Sequence, residues 1–151
     1  MKAVIQRVIK ASVSVNGELF GSINKGLLVL IGIEEKDEIG DMNWMAKKIC
    51  NLRIFNDEKG VMNLSIKQDG GNLLIISQFT LCANTQKGHR PSYIKAAKPE
   101  RAKDMYEDFC RLCSTILNKK TEQGVFGAHM LVELINDGPV TILLDSKDKK
   151  Q

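Results

Sequence analysis

The residues best suited to chemistry stand at the end of an apolar run, NLLIISQFTL (residues 72–81). Leucines and isoleucines fill its first half, which predicts a buried strand, and the polar residues of Ser77–Thr80 then follow together. A strand that leaves the core and becomes polar at its end is a common floor for a ligand site. A strand end that simply meets solvent would give the same pattern, so the run alone does not decide between the two.

Side-chain catalysis is incomplete in this segment. Ser77 or Thr80 could act as a nucleophile, but either hydroxyl would need an adjacent base. The segment contains no His, Asp or Lys, and neither of its hydroxyl residues belongs to a G-x-S-x-G or S-x-x-K motif. His129 is the candidate base in the later strands, which leaves a Ser/His/Asp arrangement poorly supported. Backbone N–H groups at a strand end, beside an aromatic ring, suit an oxyanion hole and a nucleobase or amino-acid pocket.

A second unusual segment is NDGPVT (residues 136–141), which lies between the apolar runs LVELI and ILLD. Asn-Asp-Gly is typical of tight turns because these residues tolerate a positive φ. The proline has no N–H and cannot donate to a sheet ladder. The pattern predicts a hairpin turn between two strands, with a proline that the turn itself does not explain.

Composition limits the class of protein. The chain has 151 residues, of which 43% are hydrophobic and 26% charged, as expected for one globular domain with a substantial core. No stretch approaches the roughly 20 apolar residues of a membrane span, and the N-terminal residues lack the pattern of a signal peptide. We therefore expect a cytoplasmic protein with no membrane partner.

The four cysteines give no indication of a metal or redox site. Cys110 and Cys113 form a C-x-x-C pair, but the pair lies inside a strongly helical pattern. No second pair or His cluster completes a zinc site. We expect buried free thiols, no metal and no cofactor.

Positive charge is concentrated in residues 87–103. The whole chain has a net charge of only +4, which excludes a surface that is strongly basic throughout and would bind nucleic acid everywhere. This segment nevertheless holds six Lys or Arg and one acid, Glu100. A solvated surface is favoured on composition alone, and a phosphate-facing patch is the alternative.

Two amphipathic helices are predicted, at residues 38–52 and 99–117, because apolar residues recur there with a 3.6-residue period. The segments before, between and after the helices are typical of strands. The regular βαβ alternation of a parallel Rossmann sheet is missing. We predict a single α+β domain over residues 1–145, with a mostly antiparallel, barrel-like curled sheet and two flanking helices. A polar tail is expected at residues 146–151.

Together, SQFTL (77–81) and NDGPVT (136–141) resemble the two signature motifs of the D-aminoacyl-tRNA deacylase family. RVIKASVSVNGELFGSINKGLLVLIGIEEKD and LRIFNDEKGVMNLS are also similar to that family, so the resemblance runs from Met1 to about Asp145. It implies a cytosolic homodimer with a barrel-like sheet and flanking helices. It also implies an enzyme that hydrolyses the ester between a D-amino acid, or glycine, and the 3′-terminal adenosine of tRNA.

The resemblance implies a catalytic segment on one subunit and a chirality gate supplied by its partner. The catalytic segment comprises Ser77, Gln78, Phe79 and Thr80. The gate is a cis peptide between Gly138 and Pro139, whose carbonyls face the substrate's amino group and exclude L-amino acids. Arg7 resembles the family arginine that orients the gate, so replacing Pro139 or loosening Arg7 is predicted to allow cleavage of L-aminoacyl-tRNA. The adenosine pocket is expected at Ala102, Phe126 and Met130.

Without a side-chain base, substrate-assisted hydrolysis is the favoured hypothesis. Backbone N–H groups near Phe79 and Thr80 would stabilise the oxyanion, an effect of about 2.7–4 kcal/mol per donor in other enzymes. The 2′-hydroxyl of the terminal ribose would orient or activate water, and residues 87–103 would contact acceptor-stem phosphates. Two alternatives stay open: an esterase with Thr80 as covalent nucleophile, and a nucleic-acid-binding module without catalysis.

Overall fold

The computed structural model describes residues 1–148 as strands and helices arranged around one curled sheet. The elements, in chain order, are β1 (Lys2–Val15), β2 (Glu18–Ile23), β3 (Gly26–Gly32), α1 (Ile39–Asn51), β4 (Arg53–Asn56), β5 (Met62–Ser65), α2 (Ile66–Asp69), β6 (Asn72–Ser77), α3 (Pro99–Leu117), β7 (Glu122–Gln123) and β8 (Leu131–Asp145). Two short 3-10 turns are also present: Phe79–Cys82 comes after β6, and Ser146–Asp148 comes after β8.

The long first strand organises the main sheet. β1 pairs antiparallel with β2, β3 and β8, whereas the β3–β6 and β6–β7 pairs are parallel. The strand order is β2-β1-β3-β6-β7, with β8 on β1. The small β4–β5 pair is antiparallel and separate. The predicted α+β domain with a mostly antiparallel, barrel-like sheet is confirmed.

The central strands lack a polar face because both of their faces are covered. In β3, Leu27, Val29 and Ile31 pack into the core that includes the helices, while Leu28 faces a second core inside the curled sheet. β6 divides in the same way, with alternate residues in the two cores. Because side chains alternate between the two faces of a strand, one apolar run contributes residues to both cores.

The two predicted helices are confirmed. α1 begins after a capping box between Glu38 and Asp41, and α3 begins at Pro99, a residue suited to a first helical turn. α3 ends at Asn118 in the left-handed conformation. The predicted buried free thiols are also confirmed, since all four cysteines are buried and unpaired.

A third, one-turn helix was not predicted. α2 interrupts a segment expected to be strand, because Ser65 and Gln68 form a capping box and Gly70 provides a left-handed end. None of the helices in residues 1–148 combines the length and apolar character needed to cross a membrane.

Ser146, the first residue of the predicted polar tail, packs against the N-terminus. Ser146 is buried; its N–H donates to the Met1 carbonyl at 2.8 Å, and its Oγ accepts from the N-terminal ammonium at 2.6 Å. The same ammonium pairs with the buried carboxylate of Asp37 at 2.5 Å. These contacts fix Ser146 to the N-terminus, and residues 149–151 of the predicted tail lie outside the described residues.

Candidate active site

The Ser77–Thr80 segment turns away from the sheet at the end of β6. The Gln78 N–H donates to the Ile31 carbonyl at 2.8 Å, and the 3-10 turn begins at the next residue, Phe79. The first N–H groups of a helical turn have no acceptor within the turn. Within the described residues, the Phe79 and Thr80 N–H groups have no backbone acceptor. Two adjacent free donors are what an oxyanion site requires.

Gly32 permits the close approach of this turn to β3. A Cβ atom at Gly32 would lie 2.9 Å from the Gln78 carbonyl oxygen and 2.9 Å from the Leu81 Cβ. No larger residue fits without moving the turn. Gly32 was not predicted to belong to the site, although a glycine inside the apolar LLVLIGI run signals close approach of another backbone.

A cavity of about 490 Å³ lies against the turn. Its walls come from β3, the end of β6, the start of α3 and the loop before β8. The cavity brings together six of the residues singled out in the sequence: Ser77, Gln78, Phe79, Ala102, Phe126 and Met130. It also includes residues that the sequence analysis did not assign to it, among them Ile33, Ala97, Pro99 and His129.

The Thr80 hydroxyl is engaged beside the cavity and is not part of its wall. The Gln78 Nε2 donates to Thr80 Oγ1 at 2.5 Å. His129 lines the cavity, but no hydrogen bond joins it to Ser77 or Thr80 in the described part of the chain. The site therefore presents backbone donors and a polar rim, and no side-chain nucleophile paired with a base.

NDGPVT is a bulge within one long strand, and the predicted hairpin turn is wrong. Asn136 is opposite Val8 and Thr141 is opposite Gln6, so residues 137–140 of β8 face Arg7 alone on β1. β1 continues without a break and provides a partner on both sides of the segment. The extra residues of β8 therefore loop out of the ladder while the strand keeps its direction.

Arg7 joins this bulge to the β4 strand. Its side chain is 8% exposed; Nε donates to the Asp137 carbonyl at 2.9 Å and lies 3.4 Å from the Asp137 carboxylate. Nη1 donates to the buried Ile54 carbonyl at 2.7 Å and to Asn56 Oδ1 at 3.3 Å. The guanidinium thus holds the backbone around the bulge through Nε and Nη1, and the roles of Ile54 and Asn56 were not visible in the sequence.

The bulge has an internal brace at Asn136. Its Oδ1 accepts from the Val140 N–H at 2.8 Å, and its Nδ2 donates to the Val140 carbonyl at 3.2 Å. Between these residues the Gly138–Pro139 peptide is cis, and Gly138 has a φ of 145°. A Cβ atom at Gly138 would lie 2.7 Å from the Val140 backbone nitrogen. The bulge therefore has a conformation that glycine accepts and other residues do not.

The bulge and the cavity are separated within one chain. Arg7 is opposite Leu27 on β3, Leu27 is opposite Leu73 on β6, and Ser77 lies four residues farther along β6. At about 3.3 Å per residue, this is about 13 Å along the strand direction alone. Gly138 and Pro139 do not line the cavity, and both are exposed. Within one chain, the bulge therefore contributes no residue to the wall of the cavity.

A family model and two similar curated proteins all name the same kind of protein, an aminoacyl-tRNA deacylase. The family model described as D-Tyr-tRNA(Tyr) deacylase matches residues 4–145. A protein named D-aminoacyl-tRNA deacylase from Bacteroides thetaiotaomicron is 59% identical over 150 residues, covering 99% of this chain and 100% of the relative. A protein of the same name from Flavobacterium psychrophilum is 55% identical over the same shares of both chains.

Two solved structures share the fold. A structure titled c-Myc DNA Unwinding Element Binding Protein is 40% identical, with a TM-score of 0.92 over 96% of this chain and 98% of that one. A second, titled as a probable eukaryotic D-amino acid tRNA deacylase, has a TM-score of 0.82 over 95% of this chain and 97% of that one. At 15% identity, the second structure supports the fold alone.

Proposed function

The chain belongs to the D-Tyr-tRNA(Tyr) deacylase family and is a hydrolase of aminoacyl-tRNA esters, and from its geometry we propose how it selects and cleaves them. The substrate is a D-amino acid, or glycine, esterified to the 3′-terminal adenosine of tRNA. The cavity holds the adenosine and the ester, and the partner subunit's bulge rejects L-amino acids. The observation that carries the proposal is the separation of the bulge from the cavity within one chain.

The proposed chemistry relies on the turn's backbone. An ester carbonyl seated at the Phe79 and Thr80 N–H groups would receive two donors as its oxygen becomes negative. The 2′-hydroxyl of the terminal ribose lies next to the ester and takes the place of the missing base by orienting water. The aliphatic and aromatic walls at Ala102, Phe126 and Met130 suit the faces of an adenine ring.

The exposed outer surface of β1 and β8 supports a homodimer. Ile9, Leu131, Ile135 and Leu143 are exposed on these strands, and Leu143 is 74% exposed. Within residues 1–148, the other edge of β8 has no strand partner. An exposed apolar surface beside a free strand edge is typical of a protein interface. The bulge is part of this strand, so a partner that covers the surface would receive Gly138 and Pro139.

The rival mechanism makes Thr80 a covalent nucleophile. Its hydroxyl accepts a hydrogen bond from Gln78 and has no base among the described residues, which favours the backbone mechanism. Thr80→Ala separates the two: we expect deacylation to stay within about tenfold of wild type, because the backbone N–H groups remain. A loss of several orders of magnitude in a folded variant would establish the nucleophile instead.

The basic segment 87–103 provides a surface for the tRNA itself. Lys95 and Lys98 are exposed and form no ion pair within residues 1–148, so both are available to phosphates of the acceptor stem. Such contacts give salt-dependent affinity without sequence preference. A substrate of this kind is found where translation occurs, which in a bacterial cell is the cytoplasm.

The direct test compares D-tyrosyl-tRNA with L-tyrosyl-tRNA and follows loss of the ester. We expect rapid release of D-tyrosine and little release of L-tyrosine. Equal rates on both substrates would contradict the chirality gate.

A nucleic-acid-binding module without catalysis is the second candidate, because a structure 40% identical to this chain carries a DNA-binding title. Tight binding of either aminoacyl-tRNA without turnover would favour that candidate. Turnover of small esters without tRNA would instead indicate a general esterase.

A further inference from the structure

Tyr93, which lies outside the cavity wall, forms an exposed aromatic pair with Phe79. The ring centroids are 5.1 Å apart and the planes are inclined by 71°, an edge-to-face arrangement. Phe79 is 56% exposed and Tyr93 is 38% exposed. Phe79 lines the cavity whereas Tyr93 does not, so the pair extends an aromatic surface from the site toward the basic segment 87–103.

The backbone holds Tyr93 in place on both sides. Ser92 and Asn84 exchange two backbone hydrogen bonds, of 2.8 and 2.9 Å, and the Tyr93 carbonyl accepts from the Ala96 N–H at 2.9 Å. Ala97 then donates to the Ile33 carbonyl at 3.0 Å, which fixes the segment to the wall of the cavity. A large ring is therefore kept at the surface on a backbone that is already ordered, and little conformational entropy is lost when a ligand contacts it.

From this arrangement we propose that the Tyr93 ring, with Phe79, is a stacking subsite for the nucleobase that precedes the terminal adenosine of the tRNA. The inference rests on the proposed function, because it extends the same site by one nucleotide. A single-stranded 3′ end presents unpaired bases whose faces stack on aromatic side chains without regard to sequence. Lys95 and Lys98, on the same segment, suit the phosphates that join these nucleotides.

The subsite predicts a difference between two substrates. D-Tyrosyl-tRNA has the preceding nucleotide, and D-tyrosyl-adenosine, the same ester on a free nucleoside, does not. We expect Tyr93→Ala to raise KM for D-tyrosyl-tRNA by at least about fivefold, which corresponds to the lower end of the range for a stacked base. Its rate on D-tyrosyl-adenosine should stay within about twofold of wild type. Tyr93→Phe keeps the ring and should behave as wild type on both substrates.

Ile94→Ala is the matched control, because Ile94 is the adjacent residue, is 91% exposed and has no ring. We expect it to leave both substrates unaffected, and thermal unfolding should show that each variant is folded. Equal losses on the two substrates in Tyr93→Ala, no loss on either, or an equal loss from Ile94→Ala would overturn the subsite. A wild-type protein that hydrolyses neither ester would overturn the proposed function as well, which separates the two failures.

Discussion

The Ser77–Thr80 turn ends a strand and the Asn136–Thr141 bulge interrupts one, and the two segments are held by different groups. The backbone of β3 holds the turn, through the Gln78–Ile31 hydrogen bond and close contact with Gly32, so the N–H groups of the next residues stay free. Side chains hold the bulge, since Arg7 and Asn136 occupy its polar groups. The turn is thus built to present donors, and the bulge is built to present a fixed shape.

The largest effect should come from changing the shape of the bulge. Gly138→Ala places a Cβ atom 2.7 Å from the Val140 nitrogen at a φ of 145°, so the bulge must rearrange. Sites that reject a ligand through placed polar groups reach selectivities of about 10⁴. We expect the ratio of D- to L-tyrosyl-tRNA rates to fall by about 10³, measured by loss of each ester.

Gly60→Ala is the control for this variant. Gly60 also has a positive φ, of 75°, but a Cβ atom there meets nothing within 4 Å. It should lower stability slightly and leave the ratio unchanged. A Gly138→Ala protein that keeps full selectivity would mean that the bulge does not select.

Moving the turn should reduce the rate without changing selectivity. Gly32→Ala pushes on the Gln78 carbonyl and Leu81, and a displacement of about 1 Å at a reacting centre can cost about 100-fold. We expect kcat on D-tyrosyl-tRNA to fall by that order. Gly40→Ala, where a Cβ atom has open space, should retain full activity. Wild-type kcat in folded Gly32→Ala would show that the position of the turn is not critical.

Removing the hydrogen bonds of Arg7 should have a smaller effect on the ratio of D to L rates and a measurable effect on the free energy of unfolding. Arg7→Met leaves the buried Ile54 carbonyl without its donor, at a cost of about 1–3 kcal/mol in the free energy of unfolding. The ratio of D to L rates should fall by about tenfold as the bulge relaxes. Arg7→Lys keeps the charge but cannot reproduce the forked contacts, so urea unfolding should place it between wild type and Arg7→Met. Unchanged stability and selectivity in Arg7→Met would contradict the role of Arg7.

The smallest effect is expected away from both segments, at the Lys2–Asp145 ion pair. Although partial burial opposes it, the contact with Lys2 at 2.5 Å lowers the pKa of Asp145 below its ordinary value. A lowered pKa contributes stability above the ordinary value of about 3.9, and this is lost as pH falls through the folded-state pKa. Asp145→Asn should cost about 0.2–1 kcal/mol at pH 7, and the cost should shrink as pH falls below the ordinary pKa of about 3.9, with selectivity intact. A pH-independent difference would contradict this.

The sequence predicted the elements better than their connections. Periodicity gave both long helices, since each buries a continuous apolar stripe that local sequence encodes. The prediction of a hairpin at NDGPVT was wrong because turn residues report only on local backbone conformation. The strand that keeps β8 straight is β1, and the Arg7–Asp137 contact between the two strands joins residues 130 apart in sequence. The grouping of Ser77–Thr80 with the later cavity residues could be expected only through resemblance, because those residues meet through the fold.

We propose that the turn and the bulge of one working site come from different subunits. The direct test is a heterodimer with two different affinity tags, in which one chain carries Ala102→Trp to fill the cavity and the other carries Gly138→Ala. The only open cavity of this heterodimer belongs to the Gly138→Ala chain. If the bulge acts across the interface, that cavity faces the intact bulge of the Ala102→Trp chain. We expect this heterodimer to cleave D-tyrosyl-tRNA with wild-type selectivity, although the Gly138→Ala homodimer does not. A heterodimer as unselective as that homodimer would show that each chain's bulge serves its own cavity, and would contradict the account.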